Sequence, residues 1–310
     1  MKFALVFPGQ GSQSIGMMAG YGGSSIIRAT FDEASEVLGR DLWHLVTEGP
    51  ADALNQTVNT QPLMLTSGIA VYRLWREMGG NVPAMVAGHS LGEYSALVVA
   101  GTLRFRDAVL LVEFRAQAMQ EAVPAGEGAM AAILGLDQAV VKEVCEESAQ
   151  GLVVEAVNFN TPEQIVIAGH AAAVLRAAEG AKARGAKRAV MLPVSAPFHC
   201  SLMKPAAERL GKRLADLTLL PPQIPFVNNV DVAFLSDPLK IKDALMRQAA
   251  FPVRWVETMQ AMAAQGVTHV YECGPGKVLA GLVKRCADGV VGGAMADLAG
   301  MEAALAVTNA

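Results

Sequence analysis

Aromatic residues make up only 5% of this chain and charged residues only 17%. With so few aromatics and so much alanine, glycine and methionine, helices packed closely on a sheet suit the composition better than a β-sandwich. Only four cysteines occur, Cys145, Cys200, Cys273 and Cys286, none in C-x-x-C spacing. That excludes a disulfide framework and a cysteine zinc site, and implies a reducing, cytoplasmic setting. No apolar run reaches the roughly 18 residues of a membrane span, and the apolar opening over 3–7 is too short for a signal peptide. There is no excess of basic charge: the net charge is −4, so no general attraction to nucleic acid is expected. No Gly-Lys-Ser/Thr follows the glycine-rich loop at 8–13, which excludes a phosphate loop. Ser14 stands where a dinucleotide fingerprint needs its third small residue.

What is present is a large apolar inventory: 310 residues, 52% hydrophobic. That is enough for one large domain, or a large and a small one. The stretch 86–97 organises it. Gly88-His89-Ser90-Leu91-Gly92 fits G-x-S-x-G, and no other serine does. An apolar run over 84–87 predicts a short buried strand before it, and 93–100 predicts a helix after it, stopping at Gly101. Strand, tight turn and helix form the context of a nucleophile elbow. Ser90 then projects at a helix start, where free N–H groups favour negative charge. The N–H of Leu91 is placed to donate to an oxyanion.

Around this element the chain alternates strand and helix. A buried strand over 2–7 leads into the loop at 8–13, at a strand's C-terminal end, where open α/β sheets bind ligands. Gln10 there is either part of a plain turn or a donor, through its backbone N–H or its side-chain amide. Thr30-Phe31-Asp32-Glu33 reads as a capping box opening a helix that ends at Gly39. A further helix is predicted to begin at 59–62 and run to Met78, before Gly79-Gly80. Over 107–122, Ala108, Leu111, Val112, Arg115, Met119 and Ala122 share one helical face. Arg115 therefore sits in an apolar stripe with no carboxylate on its face, and a buried arginine is costly unless paired. Either a distant Asp or Glu pairs with it, or its partner is a substrate carboxylate, which a planar guanidinium fork binds bidentately.

Residues 126–193 change rhythm. Strands over 129–134, 152–158, 164–169 and 187–192 interleave with helices over 137–149 and 171–183, a β-α-β-β-α-β order of ferredoxin type. This is expected to be a small domain inserted into a large one built from 1–125 and 194–310. After it, a helix over 202–215, a strand over 224–228, a helix over 238–247 and a strand over 267–273 precede closing helices.

A serine hydroxyl needs a base, usually histidine. Of five histidines, His89 sits on the elbow and should point away from Ser90. His44 lies in a surface helix, His170 ends a strand and His269 lies within one. His199 is on a loop downstream of the serine, the chain order of α/β-hydrolase-like enzymes; it is either the base or a structural residue. Cys200 is a rival nucleophile without an elbow. No acidic residue stands out as a third triad member.

Phe7-Pro-Gly-Gln-Gly-Ser-Gln13, Gly88-His-Ser-Leu-Gly-Glu93, Arg115, Phe198-His199 and Glu272-Cys-Gly-Pro-Gly276 together resemble the malonyl-CoA:acyl carrier protein transacylase family, from the first strand to the last helix. The resemblance implies an α/β-hydrolase-like large domain with an inserted ferredoxin-like domain. It implies Ser90 as acylated nucleophile and His199 as base and acid. The backbone N–H groups of Gln10 and Leu91 would form the oxyanion hole, and Arg115 would hold the malonyl carboxylate. A backbone carbonyl at Gln248 would orient His199, in a pair that needs no acid. Gln61 and Asn160 match polar positions near the family's pocket. Phe198 and Leu91 match its malonyl-selective members, and Ser195-Ala-Pro before Phe198 is a small departure. The implied reaction is ping-pong transfer of malonyl from malonyl-CoA to the phosphopantetheine thiol of acyl carrier protein, in fatty acid biosynthesis. No cofactor or metal is implied, nor any membrane or nucleic acid, and a monomer is expected. The residues alone leave open a serine hydrolase, a non-catalytic binding module, and a malonyl transferase of polyketide or malonate decarboxylase metabolism. For an acidic carrier, Lys182, Arg184, Lys187 and Arg188, or Lys204, Arg209, Lys212 and Arg213, are either docking patches or ordinary solvated faces.

Overall fold

The first strand, β1 (Phe3–Phe7), has all five side chains buried. A continuous apolar strand of this kind suits the middle of a parallel sheet covered on both faces, and β1 occupies that place. In the computed structural model, which describes residues 1–194 and 196–309, two sheets form. The larger contains β1, β2 (Met85–Gly88), β7 (Phe226–Val227), β8 (His269–Glu272) and β9 (Val291–Ala294), in the order β7-β2-β1-β8-β9. Every neighbouring pair in it is parallel. All five strands therefore deliver their following loops to one edge, where a ligand crevice belongs.

The smaller sheet contains β3 (Gly128–Leu134), β4 (Val154–Thr161), β5 (Gln164–His170) and β6 (Arg188–Met191), in the order β4-β5-β3-β6. Its pairs are all antiparallel. With helices Gln138–Ala149 and Ala171–Ala183 interleaved, this is the ferredoxin-like arrangement that the strand order over 126–193 predicts. The chain is thus α/β, an α/β-hydrolase-like large part with a ferredoxin-like insert. Strand β4 lies against the large part: Asn158 pairs in parallel with Val253. The N–H of Val253 donates to Val157 O at 2.8 Å, and that of Phe159 to Val253 O at 3.0 Å. These bonds bring the insert over the C-terminal edge of the larger sheet.

Several elements differ from the sequence reading. The first helix is Ser25–Leu38, so Thr30 is interior rather than a cap. Its hydroxyl donates to Ile26 O at 2.8 Å, a turn back along the helix; hydroxyl-to-backbone bonds of this kind occur within helices as well as at their ends. The long helix is Thr57–Glu77, with Pro62 inside it. Proline removes the N–H that Val58 O would accept, and Arg40 Nη2 donates to that oxygen instead, at 3.3 Å. The strand expected over 224–228 shortens to two residues. The helix expected over 202–215 opens as a 3-10 turn, Ser201–Met203, before Lys204–Ala215. Strand β9 stands where only closing helices are expected. Its Val-Gly-Gly-Ala sequence has little strand propensity, and Gly292 is needed because a Cβ there would lie 2.5 Å from Ala280 O.

Candidate active site

The crevice at the C-terminal edge begins at the elbow. Strand β2 ends at Gly88 and helix Gly92–Val99 follows, so only His89, Ser90 and Leu91 make the turn. A Cβ on Gly88 would lie 1.8 Å from the Gly92 carbonyl carbon, and one on Gly92 would lie 2.0 Å from Phe7 O. The two glycines let the turn close on itself and on β1. Ser90 adopts φ +53°, a conformation that costs a non-glycine residue about 1–3 kcal/mol. Both of its backbone groups are held. Its N–H donates to Asn229 Oδ1 at 2.9 Å, and its carbonyl accepts from Gln248 Nε2 at 2.8 Å.

His199 meets the serine from a loop 109 positions downstream, with Nε2 2.7 Å from Ser90 Oγ. It too has positive φ, +68°. Its Nδ1 lies 2.8 Å from the main-chain oxygen of Gln248. A carbonyl only accepts, so Nδ1 carries the proton and Nε2 of the neutral ring presents its lone pair to the serine hydroxyl. Burial, reinforced by the Arg115 cation, holds the His199 pKa down at about 3. The ring is therefore neutral and ready to accept a proton. No carboxylate bonds to it among the described residues, in keeping with the missing third triad member.

Arg115, on helix Phe105–Glu121, is 1% exposed. Its partners are neutral: Nη1 donates to Gln61 Oε1 at 2.8 Å, and Nη2 to Gln248 Oε1 at 2.9 Å and to Ser90 Oγ at 3.1 Å. The guanidinium carbon lies 5.4 Å above the Tyr94 ring. Of the two readings left open for this side chain, direct pairing with a protein carboxylate does not occur among the described residues. Burial lowers its pKa, yet arginine remains a cation. Ser90 Oγ therefore gives its proton to His199 and accepts from Arg115.

A cavity of about 100 Å³ opens on these three groups, walled in part by Gln10, Gln61, Leu91 and Phe198. The backbone N–H groups of Gln10 and Leu91 make no hydrogen bond among the described residues. The Gln10 side-chain amide is turned to Thr57 Oγ1, 3.3 Å away, so its backbone N–H is the donor left for a ligand. Asn160 is not in the cavity wall. Its Oδ1 is held by His89 Nε2 at 2.8 Å, and Asn158 on the same strand lines the wall instead. The register of β4 shifts between Ala156 and Asn158 and again between Phe159 and Thr161.

His89 points away from Ser90 and packs 5.4 Å from Trp255. Cys200 is buried, its thiol pushed up to about 12 by that burial, and donates to Pro197 O; it is a poor nucleophile there. Ser195 lies outside the described residues. The basic cluster closing the insert is largely paired: Lys182 with Glu179, Arg184 with Glu143 and Glu147, and Lys187 with Glu163. In the second cluster Arg209 pairs with Glu121, while Lys204 and Lys212 are exposed. Among the described residues no helix is long and apolar enough to cross a membrane, and no group of three or more His, Cys, Asp or Glu is placed to hold a metal ion.

Two site residues were given no role in the sequence reading, although Glu93 closes the motif around Ser90. Asn229, just past β7, supports the elbow through Ser90 N–H and through its own Nδ2, which donates to Gly88 O at 2.7 Å. Its only signal was a polar pair ending an apolar strand. Glu93, 1% exposed, accepts from Gln248 Nε2 at 2.9 Å and from Asn229 N–H at 3.1 Å. In the first turn of a helix it reads as an ordinary dipole complement.

The model of the acyl transferase domain matches residues 4–305. The malonyl CoA-acyl carrier protein transacylase of Escherichia coli (strain K12) is 57% identical over 305 residues, covering 98% of this chain and 99% of that protein. That of Bacillus subtilis (strain 168) is 49% identical over 286 residues, 92% of this chain and 90% of its own. Among solved structures, the acyl-carrier-protein S-malonyltransferase of Burkholderia pseudomallei 1710b superposes with TM-score 0.97 at 59% identity, covering 99% of this chain and all of that one. A malonyl-transacylase solved in complex with its type II PKS acyl-carrier protein has TM-score 0.97 at 50% identity, over 99% and 100% of the two chains. A family match of this extent, over a crevice that holds a serine, a histidine and an unpaired arginine together, means that the chain belongs to the acyl transferase family, with the malonyl CoA-acyl carrier protein transacylases as its relatives.

Proposed function

We propose that this chain moves a malonyl group from malonyl-CoA to the phosphopantetheine thiol of acyl carrier protein, through a malonyl ester on Ser90. The observation that carries this reading is the convergence on one hydroxyl of a neutral histidine nitrogen at 2.7 Å and a buried guanidinium at 3.1 Å. In the first half, Ser90 Oγ attacks the thioester carbonyl while its proton passes to His199 Nε2. The N–H groups of Gln10 and Leu91 receive the oxyanion. Collapse breaks the carbon–sulfur bond, and CoA leaves with the proton from His199. In the second half the carrier thiol gives its proton to His199 and attacks the ester, and Ser90 departs and is reprotonated. The Gln248 carbonyl stabilises the imidazolium in each half, which is why no acid is required. Arg115 binds the malonyl carboxylate in place of its bond to Gln61, while Gln248 Oε1 keeps its hold on Nη2. Gln61 stands beside that carboxylate and Phe198 closes the wall. No metal or redox cofactor enters any step.

Residues 1–125 with 194–310 act as the catalytic domain and 126–193 as the insert, a division supported by the two separate sheets. Four buried free cysteines support a reducing, cytoplasmic setting. Fatty acid synthesis is the pathway we assign; a polyketide carrier accepted in preference would reassign it.

The test is intact mass after mixing with malonyl-CoA. One malonyl adduct is expected, discharged by holo acyl carrier protein, absent in Ser90→Ala, and formed about 10²–10⁴-fold more slowly in His199→Ala. An adduct that survives Ser90→Ala, or free malonate released faster than carrier is loaded, would overturn the reading.

A further inference from the structure

Gln248 touches three working parts of the site. Its main-chain oxygen holds His199 Nδ1, its Oε1 holds Arg115 Nη2, and its Nε2 holds Ser90 O. A side chain in that position must be held still, or the guanidinium moves with it. What holds it is Glu93: the carboxylate Oε2 accepts from Gln248 Nε2 at 2.9 Å and from Asn229 N–H at 3.1 Å. Asn229 is in turn the residue beneath the elbow. Glu93 Oε1 has no partner among the described residues. A buried carboxyl with half its bonding capacity unused costs stability.

We infer that Glu93 is a positioning residue that sets malonyl selectivity, holding the Gln248 side chain so that Arg115 stays in register with Ser90. This rests on the transfer mechanism above. With Glu93 in place, both hydrogens of Gln248 Nε2 are engaged, one by Ser90 O and one by Glu93. The amide oxygen must then face Arg115. Without Glu93, one Nε2 hydrogen and the Asn229 N–H lose their acceptor together. The glutamine then keeps Ser90 O and only a long 3.5 Å contact to Asn229 Oδ1, turns more freely, and the guanidinium loses the fixed oxygen that aims it across Ser90. Acetyl transfer, which uses no carboxylate contact, is touched far less.

The experiment measures kcat/KM for malonyl-CoA and acetyl-CoA in the full-length protein. Glu93→Ala is expected to lower the malonyl-to-acetyl ratio about tenfold, the weight of one buried hydrogen bond. Glu93→Gln keeps a carbonyl oxygen for both donors and should hold the ratio within about twofold of the wild type, while melting lower because its NH2 lacks a partner. Gln248→Ala, which keeps the main-chain carbonyl for His199, should lower the ratio as Glu93→Ala does. Adding Glu93→Ala to it should cost no more in the ratio. Should Glu93→Ala not fold, Glu93→Met fills the space without an acceptor and takes its place. An unchanged ratio in the alanine or methionine variant, or a further drop on combining it with Gln248→Ala, overturns the inference. A wild type that forms no malonyl ester fails the transfer mechanism itself, and is told apart on that measurement.

Discussion

Arg115 and Arg184 are the same residue under opposite conditions. Arg184, at the end of the insert's second helix, is exposed and held between Glu143 and Glu147, and those bonds raise its pKa. Arg115, in the crevice of the large part, is fully buried, bonded among the described residues to neutral oxygens and one ring face, and burial lowers its pKa. The charge that least needs a counter-ion has two bonded to it, and the one that most needs one has no carboxylate bonded to it among the described residues, Glu93 acting on it only at a distance. A buried cation without an anion is costly. The amides of Gln61 and Gln248 solvate it without neutralising it, so it keeps its attraction for a carboxylate. The surface pair is ordinary electrostatics; the buried arginine is the candidate site on which the proposed function rests.

The contrast breaks most visibly in Arg115→Ala. Losing one partner of a buried charge pair costs about 3–5 kcal/mol and each 1.4 kcal/mol is about tenfold. The ratio of kcat/KM for malonyl-CoA over acetyl-CoA is therefore expected to fall at least about a hundredfold. Arg115→Lys should recover only part, since a point charge cannot replace the fork. A ratio unchanged in Arg115→Ala would make the arginine structural and the comparison empty.

A smaller effect follows from the carboxyls of the buried region, which titrate unlike those of the surface. Burial raises Glu93 to about 7 and Glu272 to about 7 from an ordinary 4.5. Each binds its proton more tightly folded than unfolded, so its contribution to stability is complete below 4.5 and lost as pH rises through 7. His199, lowered to about 3 from 6.5, acts oppositely: its contribution is complete above 6.5 and lost as pH falls toward 3. His89, also lowered by burial, acts in the same direction as His199, so two carboxyls oppose two histidines between pH 5 and 7. Glu93→Gln removes one carboxyl, so its stability should fall less, or rise more, from pH 5 to 7 than that of the wild type. Melting temperature of both proteins at pH 5 and pH 7 checks this, and equal slopes would place the Glu93 carboxyl with the ordinary surface ones.

The smallest effect belongs to the surface partner of the comparison. Arg184→Ala should leave KM for both malonyl-CoA and acyl carrier protein unchanged and shift the melting temperature by no more than about 2 °C. A raised KM for the carrier alone, strongest at low salt, would show that the glutamates release Arg184 to the carrier.

Much of the site was legible along the chain because it is local. Gly88 and Gly92 flank Ser90 at a spacing that only one backbone turn accommodates. Arg115 falls on its apolar stripe by helical periodicity alone. The insert announced itself by strand and helix lengths. The parts that were not legible are long-range or irregular. Asn160, carried over from the family resemblance, is turned to His89 while Asn158 lines the wall, and Thr30 carried a capping pattern inside a helix whose true start lies five residues earlier.

By itself, then, the sequence determined the elbow, the buried arginine and the two-part α/β architecture, since steric clash and side-chain periodicity act between near neighbours. Only the tertiary structure decided what those residues bond to. Parallel pairing places Val86 beside Phe226 and Phe7 beside Gly88. That register brings Asn229 under an elbow 139 positions away and Gln248 against Ser90, 158 positions away. No local pattern encodes such meetings. A hydrogen bond constrains two atoms, whereas the register that makes it possible is set by the packing of the whole sheet.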